Sequence, residues 1–299
     1  MTLARVLITG AGGFVGSHLA VGFAALRYQV TALDTVFDPA TRARLAGIAL
    51  IEADLTKDTE LPAAEVMIHA AALTTNPAAM GLTEAEHVTA NMLPLLAMLR
   101  HAGRTGPQAF VFLSSSGVFS PGDGSPDLTD ADPPTALGPY SAAKRAGECL
   151  VPSALPQGTK PFCLRLGYLY GPAEVARPTR ARVSLIADWI AQARRGEVIA
   201  LATPAPRRDW TFVPDLAPAI ARLIAGPGDV RPRHLCAPDA PSDAEAVAAL
   251  RRIFPRLAVQ DVPAPASKAP MRPSRFAALD GFRWTDLATG LAQITDVAA

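Results

Sequence analysis

Short apolar runs alternate with longer stretches of helical periodicity through the first half of the chain. The runs fall at 5–9, 29–33, 49–51, 66–69, 109–113 and 162–166, and they are β-branched or apolar at most positions. They therefore read as strands covered on both faces. Between them, apolar residues recur at helical spacing over 14–26, 90–99 and 140–150. Strands and helices in this order predict an α/β fold, a doubly wound parallel sheet with helices on both sides.

After residue 170 prolines become frequent, arginines cluster, and shorter amphipathic helices are predicted over 184–194, 215–224 and 243–252. These predict a small irregular α/β cap over the carboxyl ends of the strands, where open α/β sheets bind ligands. The prolines of 255–273 predict extended surface chain. The expected division is 1–170 for the sheet and 171–299 mainly for the cap, with later strands or helices returning to the sheet. No internal repeat is visible.

Composition narrows the function classes. With 28 basic and 27 acidic residues the formal net charge is +1, so no nucleic acid or acidic membrane surface is expected as a partner. No apolar run approaches the roughly 20 residues that span a bilayer. Cys149, Cys163 and Cys236 are far apart, lack metal-ligand spacing and lie in apolar or small-residue stretches, which predicts buried, unpaired thiols and no metal. With no leader-like start, they point to a soluble protein of a reducing cytoplasm.

The chemistry begins at the first strand. Gly10, Gly13 and Gly16 stand at G-x-x-G-x-x-G spacing directly after it and at the start of a helix. Such a loop needs a tight turn, a bare backbone for a pyrophosphate and close helix–strand packing, and the helix N-terminus at Phe14 and Val15 adds free N–H groups. No Lys-Ser or Lys-Thr follows Gly16, so a triphosphate loop is disfavoured. The expected ligand of this Rossmann-type unit is a dinucleotide. Asp34 ends the second run, where a carboxylate accepts from ribose hydroxyls and repels a 2′-phosphate, which favours NAD over NADP; the alternative is that Asp34 caps the following turn.

Tyr140 and Lys144 lie one turn apart on a predicted helix, and the serines 114–116 end the strand before it. Removing hydride from a secondary alcohol requires a base, and a phenolate serves if a nearby ammonium lowers its pKa. A serine hydroxyl would orient the substrate oxygen. A surface Tyr–Lys pair is the competing reading.

At this point the chain resembles the extended short-chain dehydrogenase/reductase family, in its NAD-dependent sugar epimerase/dehydratase branch, over most of its length. Thr9 to Gly16 match the T-G-x-x-G-x-x-G start, Asp54-Leu55 the adenine pocket, His69-Ala70-Ala71-Ala72 the H-x-A-A motif, and Asn91 the asparagine of the central helix. Ser115, with Ser116 as a substitute, Tyr140 and Lys144 fill the catalytic motif. Arg165 to Pro172 and Arg208 to Asp215 match two later segments.

The resemblance implies hydride transfer at a secondary hydroxyl of a sugar derivative, with substrate contacts at Ser116, Phe119, Tyr168 and Arg208. It also implies a homodimer through the helices at 90–99 and 142–150, whose apolar faces could equally be buried within one chain. Tyr168 stands where nucleotide-sugar enzymes usually carry Asn, and Phe119 replaces a tyrosine of V-Y-G. No acid follows Ser115, so 4,6-dehydration is disfavoured, and the Cys expected of fucose-synthase-like enzymes is absent.

Arg177, Arg180, Arg182, Arg207 and Arg208 are candidate anion ligands or solvated loop residues; Arg208 in particular implies an anionic substrate, a nucleotide sugar or a sugar acid. Epimerase and dehydrogenase share the first hydride step. The alternatives are a reductase of a less polar carbonyl compound and a non-catalytic dinucleotide sensor, the latter opposed by Tyr140 and Lys144.

Overall fold

The computed structural model describes residues 4–57 and 59–296. Its elements, in chain order, are β1 (Arg5–Thr9), α1 (Phe14–Ala25), β2 (Gln29–Asp34), α2 (Pro39–Arg44), β3 (Ala49–Glu52), β4 (Val66–His69), α3 (Glu84–Thr105), β5 (Ala109–Ser115), α4 (Pro139–Ala154) and β6 (Lys160–Leu166). There follow β7 (Tyr168–Tyr170), α5 (Leu185–Arg195), β8 (Ile199–Thr203), β9 (Trp210–Phe212), α6 (Leu216–Ala225), β10 (Asp229–Leu235), α7 (Asp243–Ile253), β11 (Val259–Pro263) and α8 (Leu287–Asp296).

Seven strands form one parallel sheet in the order β10-β6-β5-β4-β1-β2-β3, the doubly wound topology of a Rossmann-type fold. The sheet reverses direction of growth at β1, so the loops after β1, β2 and β4 converge on one crevice. The apolar residues at successive strand positions are explained by their setting. Val6 and Ile8 pack on one face with α1 and α6, whereas Leu7, Met67 and Phe110 pack on the other with α3.

α3 starts at a capping box between Thr83 and Glu86 and ends at Gly106, whose φ of 59° admits no ordinary side chain at low cost. The structure extends this helix well beyond the periodic stretch 90–99, because caps rather than apolar spacing set its ends.

β10 and α6 lie late in the chain yet belong to the main sheet and its cover. Two small parallel pairs, β7 with β9 and β8 with β11, carry a separate core of Tyr170, Trp189, Trp210, Phe212 and Leu250 beside α5, α7 and α8.

Two expectations are corrected. The stretch 255–273 is not merely extended surface chain: it contributes β11, and its end bonds to the loop after β5 through Leu128 N to Pro270 O at 2.8 Å and Arg272 N to Leu128 O at 2.8 Å. Met271 is buried there. Cys163 and Cys236 are buried, but Cys149 is exposed because it lies on the outer side of α4. No helix among the described residues is long and apolar enough to cross a membrane.

Candidate active site

The crevice begins at the glycine loop. Gly10 turns the chain with φ of 70°, and a Cβ there would lie 2.5 Å from Ala71 N, so the loop presses bare backbone against the segment after β4. A Cβ at Gly16 would overlap the Gly10 carbonyl. Gly12, which the spacing motif treats as filler, is equally constrained, since a Cβ there would overlap Val36 O.

Gly13 caps α1 in an extended conformation without a side-chain cap, leaving the helix's first N–H groups at Phe14 and Val15 open to an anion. Asp34 Oδ2 accepts from Gly12 N at 2.8 Å and Oδ1 from Thr35 N at 2.7 Å. Thr35 Oγ1 also donates to Oδ1 at 3.3 Å, and since a carboxylate offers about four acceptor positions, about one remains for a ribose hydroxyl.

Asp54 accepts from Thr56 N at 2.9 Å and Thr56 Oγ1 at 2.7 Å, bonds that hold its carboxyl below the usual range, and Leu55 beside it is buried. Ala70 N donates to Thr9 O at 3.2 Å, and Ala71 and Ala72 continue the loop. Asn91 fixes that loop from α3, its Oδ1 accepting from Leu73 N at 2.9 Å. A bare-backbone cradle at an uncapped helix start, closed by a carboxylate at the end of β2, fits a dinucleotide.

At the far end of the crevice Ser115 closes β5. Its Oγ accepts from Gly117 N at 2.9 Å, and Ser141 Oγ donates to Gly117 O at 2.7 Å, pinning the start of α4 to the turn after β5. A Cβ on Gly117 would sit 3.2 Å from both Ser115 Oγ and Tyr140 Cε1, so the two side chains border the same small space beside this glycine.

Lys144 lies one turn beyond Tyr140, buried, its Nζ 5.7 Å from the Tyr140 ring centre and donating to Leu113 O at 2.7 Å. Burial pushes the Tyr140 phenol above its ordinary value, while the Ser115 hydroxyl and the more distant Arg180 pull it back. Burial also brings Lys144 down to about 8, opposed by the carboxylate of Glu148. His69, fully buried beside this ammonium, is pushed down to about 3 and is neutral.

Behind the pair lies a network that the sequence reading missed. Arg165 grips Glu148 through two bonds of 2.8 Å, and Ser114 Oγ donates to Glu148 Oε1 at 2.6 Å. Glu148 follows Lys144 by one turn on α4, a spacing that could have flagged it.

The cap side brings Tyr168, Ser116 and Arg208 together, but not as free ligands. Arg208 is engaged by Asp243 in a two-pronged pair of 2.7 and 2.9 Å and lies 4.6 Å over the Tyr168 ring. Phe119 is buried against His234 and under the Arg165 guanidinium, away from open space.

Arg177 is tied to Asp38 and to Thr41 Oγ1, and Arg180 pairs with Glu174 and lies 5.1 Å over the Phe14 ring, so neither is a solvated loop residue. Arg207 is exposed and pairs with Asp127. Lys268, unnoticed in the sequence, donates to the carbonyl and to Oγ of Ser116.

The model of the NAD dependent epimerase/dehydratase family matches residues 6–235. The dTDP-4-dehydro-6-deoxy-D-allose reductase of Streptomyces bikiniensis is 29% identical over 236 residues, 73% of this chain and 72% of that one. Among solved structures, the ADP-L-glycero-D-manno-heptose-6-epimerase of Helicobacter pylori superposes with a TM-score of 0.83 at 20% identity, covering 99% of this chain and 96% of that one. The UDP-glucuronic acid 4-epimerase of Bacillus cereus, in complex with UDP-glucuronic acid and NAD, gives 0.80 at 20% identity and 98% of each chain.

Proposed function

Because the chain belongs to the NAD-dependent epimerase/dehydratase family, we propose that it oxidises a secondary hydroxyl of an anionic sugar derivative, a nucleotide sugar or a sugar acid, with Tyr140 as the base. NAD, the cofactor of the family, supplies when bound the acceptor for the carbinol hydrogen and, in an epimerase, its return to the other face. Residues 1–170 carry the cofactor, and residues 171–299 mainly wall the substrate. Gly10, Gly13 and Gly16 admit the pyrophosphate, Asp34 the adenosine ribose, and Asp54-Leu55 the adenine edge.

That Ser115 Oγ and the Tyr140 ring both border Gly117 is the observation that carries this reading. A substrate hydroxyl placed between them donates its proton to the Tyr140 oxygen and accepts from Ser115 Oγ. Lys144, held by Leu113 O, keeps a positive charge beside the phenol and favours its ionised form. Ser116 and Tyr168 border the sugar, and Arg208 stiffens that wall through Asp243. Pairing of two chains through α3 and α4, in the cytoplasm, completes the proposal.

The test is a screen of the purified, NAD-loaded protein for NADH formation with sugar acids and for isomerisation of nucleotide sugars. Tyr140→Phe is expected to bind NAD as the parent does and to lose turnover by several orders of magnitude. Equal turnover in that variant refutes the mechanism. NADH accumulation marks a dehydrogenase, whereas isomerisation without it marks an epimerase.

A further inference from the structure

The segment that carries Lys268 is clamped on both sides of it: Gly122 N donates to Ser267 O at 3.0 Å and Ala269 N to Asp123 O at 2.9 Å. Clamped in this way, Lys268 extends inward to the carbonyl and hydroxyl of Ser116, 3.0 Å from Oγ, and its Nζ lies 5.6 Å from the Tyr168 ring centre. Ser116 is the immediate neighbour of Ser115, and adjacent Cα atoms are about 3.8 Å apart. The Lys268 ammonium therefore sits at the residue that follows Ser115, on the wall that also carries Tyr168.

The charges around it leave it available. Arg208, the other cation of this wall, is neutralised by Asp243. Asp209 lies nearby, only 1% exposed, and its carboxylate makes no hydrogen bond among the described residues; the amides of Asp209 and Met271 favour its anion without reaching bonding geometry. Burial pushes Asp209 up to about 7, so it offsets the ammonium only in part. Lys268 commits two donors to Ser116 and carries three.

Resting on the hydride-transfer reading above, we infer that Lys268 selects a substrate bearing a carboxylate on the reacting sugar itself, a uronic or aldonic acid unit, through a charge-assisted bond beside Ser116. A diphosphate does not satisfy this geometry as well, because its charge is separated from the reacting ring carbon by the anomeric linkage. A neutral hydroxymethyl group in the carboxylate's place forgoes the ionic bond. Lys268 is thus a specificity residue, acting on the substrate and not on the cofactor.

The test compares paired probes that differ only in this group: glucuronate with glucose, galacturonate with galactose, and UDP-glucuronic acid with UDP-glucose. Each is titrated calorimetrically into the NAD-loaded protein and assayed for turnover. A charge-assisted bond predicts about 10- to 100-fold tighter binding of the acid of at least one pair. Lys268→Met is expected to erase that preference and Lys268→Arg to restore part of it, with NAD affinity unchanged in both as the check on folding.

A preference absent from the parent protein, or one that survives in Lys268→Met, overturns the inference. If neutral sugars react in a Tyr140-dependent manner without preference for their acids, the role of Lys268 falls and hydride transfer stands. If no probe of either kind binds or reacts, both fall.

Discussion

Glu148→Gln tests the support behind Lys144, the lysine proposed to favour the Tyr140 phenolate. The side chains of Glu148 and Arg165 are 5% and 6% exposed, so water screens their attraction little. The substitution keeps the shape but leaves the Arg165 guanidinium buried without a counter-charge and removes the anion that Ser114 donates to. Breaking one side of such a buried pair costs about 3–5 kcal/mol.

For 299 residues, an unfolding entropy of about 2.1 cal/mol/K per residue converts this to a fall in Tm of about 5–8 °C. Calorimetry on the NAD-free protein measures it. The double variant Glu148→Gln/Arg165→Met is expected to recover most of the loss, because no unpaired charge then remains in the core. A second readout follows from Lys144. Burial already brings its ammonium down to about 8, and Glu148 is the group that opposes this. Its loss lowers the lysine further, so the alkaline limb of the turnover profile moves to lower pH. A loss under about 1 kcal/mol, or a double variant no better than the single one, refutes the account of the pair.

Gly16→Ala places a Cβ on the Gly10 carbonyl and is expected to abolish NAD binding in a fluorescence titration; retention of parental affinity contradicts the cradle. Gly147→Ala puts a methyl 2.7 Å from Phe112 Cε1 and 3.1 Å from Leu95 Cδ2, an overpacking that costs about 1–3 kcal/mol in denaturant unfolding. Stability also carries a pH signature. Burial pushes His18 down to about 4 and His69 to about 3, so below pH about 6.5 the unfolded chain binds more protons and these two groups destabilise the fold as pH falls. Asp209, pushed up to about 7, acts oppositely: between about 4 and 7 the folded chain holds the extra proton, and stability is lost as pH rises. Asp209→Asn is therefore expected to raise Tm at pH 8 relative to the parent and to steepen the loss on acidification; an unchanged profile contradicts the burial of a carboxyl at that position.

Local pattern carried the sheet and the crevice. β1 and β4 have the bounds read from their apolar runs, and the remaining strands of the first half differ by one or two residues at their ends. The glycine loop and the Tyr140–Lys144 turn were legible for the same reason: each is a short-range feature in which spacing, backbone freedom and helical geometry act within a few residues. The shortest strands, β7 and β9, had no such signal, since three residues carry no measurable period.

What the sequence by itself determined was the alternation that yields a doubly wound sheet, the glycine turn after β1 and the pairing of tyrosine with lysine one helical turn apart. Tertiary structure alone decided which charges are spent and which are free. Arg208, expected as an anion ligand, is paired with Asp243, 35 positions on, and Lys268 meets Ser116 across 152 positions. Glu148 and Arg165, only 17 apart, sit on different elements and meet through the packing of α4 on the sheet. Salt bridges and burial depend on distances between segments that no period encodes, so the wall of Ser116, Tyr168 and Lys268 is written in contacts whereas the glycine loop is written in spacing.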